Sequence, residues 1–265
     1  MIKYLGLLFK IACPVLEIRH TAKKYLKHPE RNQNGEFFYY IQRKIKKVID
    51  KRIKVKWIIS GQENIPSDSN YLLVGNHQSN FDPVFLVAES KKEMTFVSKK
   101  ENFDFFFLTP ILTALNCIPM DRSSLKDEVR AIKAASELLK NKPGLSLGIY
   151  PEGTRSKDPN HEIQEFKPGA LKPAFNASKP IVPIAIWGGF RILDKKFRMK
   201  SYPVQVTYLK PISVEEINSS STVEISQKIE NMIKEEVEKM RKLDSKYLEE
   251  CKVITKKLPV LFKGI

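Results

Sequence analysis

Six short runs rich in Val, Ile and aromatic residues, at 55–59, 71–74, 94–98, 145–150, 181–187 and 204–209, mark the middle of this chain as strand-forming. Helix-like stretches near 83–89, 124–140 and 168–177 separate them. Strands alternating with helices predict an α/β fold, a mostly buried β-sheet flanked by helices. A charged amphipathic stretch at 223–242 is expected to pack on the outside of that sheet. With 265 residues and 42% apolar content, the chain is long enough for one large domain, or one domain with appendages. Neither internal repeat nor low-complexity linker is visible.

The charge is less ordinary. The formal net charge is +16, and residues 1–56 hold fifteen Lys or Arg against four Asp or Glu, a net of +11. Such a bias predicts an acidic partner, either nucleic acid or anionic lipid. Two helical segments are expected here, at 1–26 and 36–50, separated by His28-Pro29 and the polar stretch 32–35. The second opens with Phe37, Phe38, Tyr39, Tyr40 and Ile41 and continues with Arg43, Lys44, Lys46 and Lys47. Aromatics followed by a basic face suit the headgroup boundary of a bilayer; the competing reading is a hairpin packed on the core with its charges in water.

No stretch reads as a spanning helix. The longest uncharged run, 105–120, has 16 residues and is interrupted by Pro110 and Pro119, whereas a span needs roughly 18–20. Nor do the first residues show a secretory pattern, because the apolar run 5–9 is short and no small-residue cleavage site follows. The expectation is a soluble or monotopic protein. Cys13, Cys117 and Cys251 are odd in number and far apart, which fits a reducing compartment and no disulfide framework. His20, His28 and His161 have no ligand-like spacing, so no metal site is expected.

Chemistry concentrates in two segments. Asn76-His77-Gln78-Ser79-Asn80-Phe81-Asp82-Pro83 follows the second strand-like run. On a straight helix, positions five apart point about 140° away from each other, so His77 and Asp82 meet only if a turn intervenes. Pro83 supplies the signal: it suits the first turn of a helix and disfavours helical geometry in the residue before it. A strand, a turn over 76–81 and a helix from Asp82 or Pro83 would fold the imidazole onto the carboxylate. The carboxylate would then fix the tautomer and stabilise the imidazolium. Asp82 or Ser79 as a helix N-cap is the structural alternative. The second segment is Tyr150-Pro151-Glu152-Gly153-Thr154-Arg155-Ser156, at the end of another strand, where α/β proteins place ligands. Gly153 permits close backbone approach, and Arg155 offers a planar fork for a phosphate. By itself this segment also reads as a plain turn with an exposed ion pair.

Together the two segments resemble the glycerolipid acyltransferase family, specifically its bacterial 1-acylglycerol-3-phosphate acyltransferases. The resemblance covers roughly residues 55–209 and includes Ile118-Pro119-Met120-Asp121-Arg122, Phe166-Lys167-Pro168-Gly169-Ala170 and Ile181-Val182-Pro183-Ile184. It implies a mixed sheet, matches the N-terminal helices only qualitatively and does not specify the tail. The chain is then divided into a basic helical hairpin at 1–54 as a membrane-docking region, the α/β domain at 55–210 and a helical extension of that domain at 211–265. His77 becomes the catalytic base and Asp82 its partner. Arg122, Arg155 and Lys99 become phosphate ligands, although Arg122 paired with Asp121 or Asp127 is the bland alternative. Glu152, Gly153 and Thr154 support the acceptor site, with Glu152 either organising the loop or bonding the glycerol. Tyr150 departs from the family's more frequent Phe, with no loss of activity expected. The implied partners are lysophosphatidic acid, an acyl-CoA or acyl-carrier protein as co-substrate, and the anionic cytoplasmic face of a membrane, with no cofactor and no nucleic acid. Residues 103–115 are a candidate acyl groove or ordinary core, and the tail 247–265 a second membrane contact or a frayed end. Rival readings are a related enzyme for another lysophospholipid, glycolipid or aminolipid, and a non-catalytic basic binding protein.

Overall fold

A computed structural model describes residues 2–32, 35–194, 196–197 and 199–251, with side chains from residue 11 onward. Leu258, Val260, Leu261 and Phe262 of the tail lie outside the described residues. In chain order the elements are α1 (Ile2–Lys27), α2 (Glu36–Val48), β1 (Val55–Ser60), β2 (Leu72–Gly75), α3 (Asp82–Glu89), β3 (Glu93–Lys99) and α4 (Thr109–Ala114). There follow β4 (Ile118–Met120), α5 (Leu125–Asn141), β5 (Leu145–Ile149), α6 (Lys172–Ala177), β6 (Ile181–Trp187), β7 (Tyr202–Tyr208), α7 (Val214–Asn218) and α8 (Thr222–Glu250).

The strands form one seven-stranded sheet in the order β1-β7-β6-β2-β5-β3-β4. From β6 to β4 all neighbours are parallel; β7 runs antiparallel to β6 and carries β1 parallel to itself, so the sheet is mixed. Continuous apolar runs arise because both faces are covered. Along β6, Val182, Ile184 and Ile186 join the core beneath α1 to α4, while Ile181, Ala185 and Trp187 join the one beneath α5, α6 and α8. In β2, Leu73 faces the first core and Leu72 and Val74 the second. The six expected strands are all present. The seventh, β4, spans three residues with a proline in the middle, which an edge strand tolerates.

The aromatics that open α2 differ from their expected placement at a bilayer. Phe37, Phe38 and Ile41 are buried with Ile18 and Ala22 in the protein's own core, so these rings are not available to a bilayer. The basic face of α2 is also partly neutralised, because Lys44 pairs with Glu17 and Lys46 with Glu89. On the opposite side of the sheet, α8 starts with a Ser221–Glu224 capping box and buries Ile225, Ile229, Ile233, Val237 and Met240 at three- and four-residue spacing. It runs past the expected end at 242, because Asp244 is fully buried in an ion pair with Arg191. None of the described helices is long and apolar enough to cross a membrane.

Candidate active site

The site is built where β2 stops. Asn76 is fully buried; its amide donates to the Ile186 carbonyl at 2.9 Å and accepts from the Ile186 N–H at 2.8 Å. A side chain thus replaces one rung of the β2–β6 ladder, which lets the backbone turn out of the sheet without orphaning Ile186. The turn over 76–81 forms as expected, and α3 starts at Asp82 with Pro83 in its first turn.

Asp82 does not cap that helix. Its carboxylate points backwards, and Oδ2 accepts from the backbone N–H groups of Gln78 and Ser79 at 2.7 Å each, while His77 Nδ1 lies 2.8 Å from the same oxygen. The Asp82 side chain is 0% exposed and that of His77 is 17% exposed. Oδ2 is an acceptor for both N–H groups and takes Nδ1 as a third donor, so Nδ1 carries the proton facing it and Nε2 keeps the free lone pair. Nε2 has no hydrogen-bond partner among the described residues. The Tyr150 ring stacks on the imidazole, with centroids 4.2 Å apart and planes 15° from parallel. It restricts ring rotation and offers a π face to the imidazolium. Behind the carboxylate, Gly189 leaves room: a methyl there would meet Asp82 Oδ1 at 3.1 Å and the Phe85 ring at 2.7 Å.

The second motif grips the same histidine through its backbone. Glu152, 4% exposed, accepts from the His77 N–H at 2.6 Å through Oε1 and from the Gln164 N–H at 3.0 Å through Oε2. The Ser156 N–H donates to the His77 carbonyl at 2.9 Å. Glu152 therefore organises the loop, the first of its two expected roles. Burial pushes its carboxyl up to about 7, against the two N–H donors that favour the anion. Gly153 sits at φ 72°, in left-handed backbone that glycine adopts without strain, and closes a turn onto the Tyr150 carbonyl. Thr154 and Arg155 are exposed on this turn.

Arg122 follows the end of β4 and Lys99 is the last residue of β3, three and two strands away from β2 along the same carboxyl edge. Asp121 takes Ser123 and Lys100, and Asp127 takes Arg130, so neither carboxylate neutralises Arg122. Neither Arg122 nor Arg155 has a hydrogen-bond or ion-pair partner among the described residues. Lys99 is held in an exposed pair with Glu101 at 2.6 Å. Of the expected groove at 103–115, Ile111, Ala114 and Leu115 are core, while Phe105 and Phe106 stand exposed beside α1, with the Arg19 guanidinium 5.4 Å from the Phe106 ring. Asn76, Tyr150 as a stacking partner and Gly189 are the site residues that motif reasoning missed. The Gly188-Gly189 doublet after a strand was the available signal for a close backbone approach.

A family model described as Acyltransferase matches residues 56–187. A probable 1-acyl-sn-glycerol-3-phosphate acyltransferase of Mycoplasma pneumoniae is 33% identical over 183 residues, 63% of this chain and 66% of its own length. A 1-acyl-sn-glycerol-3-phosphate acyltransferase of Borreliella burgdorferi is 31% identical over 137 residues, 50% of this chain and 52% of its own length. The chain thus spans less than two thirds of the length of these two curated relatives. The crystal structure of a 1-acyl-sn-glycerophosphate acyltransferase from Thermotoga maritima superposes with a TM-score of 0.65 at 25% identity, covering 91% of this chain and 98% of that one. In sequence and in fold, the chain belongs to the acyltransferase family.

Proposed function

We propose that the protein transfers a fatty acyl group from an acyl thioester to the free sn-2 hydroxyl of 1-acylglycerol 3-phosphate, giving phosphatidic acid. The observation that carries this reading is the His77–Asp82 pair, with Nδ1 fixed on a buried carboxylate and the imidazole open to the outside. Nε2 accepts the hydroxyl proton as the oxygen attacks the thioester carbonyl. The tetrahedral intermediate then collapses, the C–S bond breaks, and the thiolate leaves with the proton held on His77. General-base assistance of this kind contributes about 10² to 10⁴ in rate, and positioning of the two substrates adds to it. No acyl-enzyme is required, and the cysteines do not supply a nucleophile here. Cys117 and Cys251 are buried, the Cys117 thiol is pushed up to about 11 by burial, and Cys13 sits on α1.

Arg122 and Arg155, unpartnered at the carboxyl edge, are the phosphate ligands in this reading. Lys99 joins them only by leaving Glu101. The acceptor is reached from an anionic bilayer on the cytoplasmic side, with the protein bound peripherally. Exposed Leu16, Phe105 and Phe106, together with Arg19, support docking through one side of α1, in place of the aromatics of α2. The deciding experiment gives purified protein and its His77→Ala variant labelled oleoyl-CoA and lysophosphatidate in detergent. Phosphatidate formed by the wild type alone is the expected result. Activity that survives the substitution overturns the assignment of the base.

A further inference from the structure

The loop that follows Arg155 is tied down at a place the reaction does not touch. It leaves the site at Ser156, whose N–H donates to the His77 carbonyl at 2.9 Å, and returns at Gln164, whose N–H donates to Glu152 Oε2 at 3.0 Å. Ser156 Oγ donates to the Glu162 carbonyl at 2.8 Å and closes the neck of the loop. At the far end, Asp158 accepts from the Asn160 N–H at 2.7 Å through Oδ1 and from the His161 N–H at 2.9 Å through its carbonyl. His161 then takes φ 57°, left-handed backbone that a residue with a Cβ adopts only at a cost.

That conformation lays the His161 ring on the protein's core. The imidazole stacks on Phe190, with centroids 3.8 Å apart and planes 26° from parallel, and stands nearly perpendicular to Trp187 at 6.4 Å. Trp187 and Phe190 are both buried in the core beneath α5, α6 and α8. His161 Nδ1 is buried without a hydrogen-bond partner among the described residues, so contact with the two rings holds the imidazole. Burial, opposed by Asp194, keeps that imidazole below its usual range and therefore neutral. A second tie, Arg241 to Glu162 at 2.9 Å, is weaker because the Glu162 carboxylate is exposed to water and salt. Phe190 follows Gly189, which packs against Asp82 Oδ1. The corner that backs the catalytic carboxylate thus also seats the far end of the Arg155 loop. Arg155 itself is exposed and unpartnered among the described residues, so its backbone is positioned and its guanidinium is not. A cation on backbone already in place loses less freedom when an anion arrives.

We propose that His161 is a positioning residue for the acceptor: its stack on Phe190 pins the loop and presets Arg155 for the acceptor's phosphate. This rests on the acyl-transfer reading above and deepens its phosphate subsite. The test gives the wild type, His161→Asn, His161→Phe, Arg155→Ala and Arg155→Ala/His161→Asn oleoyl-CoA with either lysophosphatidate or 1-acylglycerol. Asparagine tolerates left-handed backbone as histidine does, so His161→Asn keeps the turn and removes only the ring. It is expected to raise KM for lysophosphatidate about fivefold, with kcat and the KM for oleoyl-CoA unchanged. His161→Phe restores the stack and should recover the wild-type KM. On 1-acylglycerol, and in the Arg155→Ala background, His161→Asn should add nothing, because the two residues act as one unit. Amide exchange of residues 156–164 without substrate should be faster in His161→Asn and near wild type in His161→Phe. An unchanged KM or exchange rate in His161→Asn overturns the proposal and leaves the reaction standing. So does a KM raised equally on 1-acylglycerol or in the Arg155→Ala background, or a His161→Phe protein that recovers nothing. A wild type that makes no phosphatidate strikes the acyl-transfer reading and this role of His161 with it.

Discussion

Asp82 performs two tasks that different substitutions separate. Its Oδ2 holds His77 Nδ1 at 2.8 Å and two buried backbone N–H groups at 2.7 Å, and its side chain is wholly inside. Asp82→Ala orphans the Gln78 and Ser79 donors. Each unsatisfied buried group costs about 1–3 kcal/mol, so the loss is about 2–6 kcal/mol, a large share of the 5–15 kcal/mol typical of a folded domain. Asp82→Asn keeps an oxygen for those donors and the volume of the side chain, and its cost should be about 1 kcal/mol. The rate behaves differently. An amide cannot balance the imidazolium, so Asp82→Asn is expected to lower kcat by about 10² to 10⁴. Because the pair acts as a unit, His77→Ala/Asp82→Asn should be scarcely slower than His77→Ala alone. Urea unfolding gives the stabilities, and initial rates with lysophosphatidate and an acyl thioester give kcat. A stability loss under 1 kcal/mol for Asp82→Ala, or a near-wild-type kcat for Asp82→Asn, would refute the reasoning.

The phosphate assignment makes its own prediction. Arg122→Ala and Arg155→Ala should each raise KM for lysophosphatidate about tenfold or more, since a hydrogen bond to a charged group is worth about 1.5–3 kcal/mol. The same variants should match the wild type on 1-acylglycerol, which lacks the phosphate; an equal loss on both acceptors would remove the arginines from phosphate binding. Glu152 supplies a pH dependence of stability. Its carboxyl is raised by burial from an ordinary 4.5 to about 7, so the folded protein keeps a proton that the unfolded chain releases. The resulting stabilisation is fully present below 4.5 and lost as pH rises through 7, up to about 3 kcal/mol. Unfolding midpoints between pH 4.5 and 7.5 should show that slope in the wild type and a flatter one in Glu152→Gln; parallel slopes would contradict it.

Much of this was legible in the sequence because the relevant constraints are local. Strands buried on both faces leave unbroken apolar runs, as along β6. Pro83, by fixing where α3 begins, forced the turn that brings His77 onto Asp82. What stayed hidden depends on contacts between distant residues. Nothing near Glu152 shows that it holds the backbone of a residue 75 positions earlier, or that Asp244 is buried against Arg191 53 positions before it. The aromatics of α2 misled for a related reason. Phe37 and Phe38 look alike whether a bilayer or a protein core covers them, and only the packing of α1 and α3 decides. In β4, three residues around a proline are too few for any strand pattern.

The distribution of charge explains why such a site can be both stable and reactive. Its fully buried carboxylate, Asp82, is provided with two backbone N–H donors, since an unaccompanied buried anion would cost several kcal/mol. Its two arginines are exposed on the rim, where water satisfies a guanidinium at little cost until an anion arrives. In the proposed reaction the base is therefore organised before substrate binds, whereas the phosphate subsite is completed by the substrate itself. Exposed pairs are screened by salt and buried ones far less. Ionic strength should accordingly act on the KM for the phosphate-bearing acceptor and leave the His77–Asp82 step, read in kcat, largely as it was.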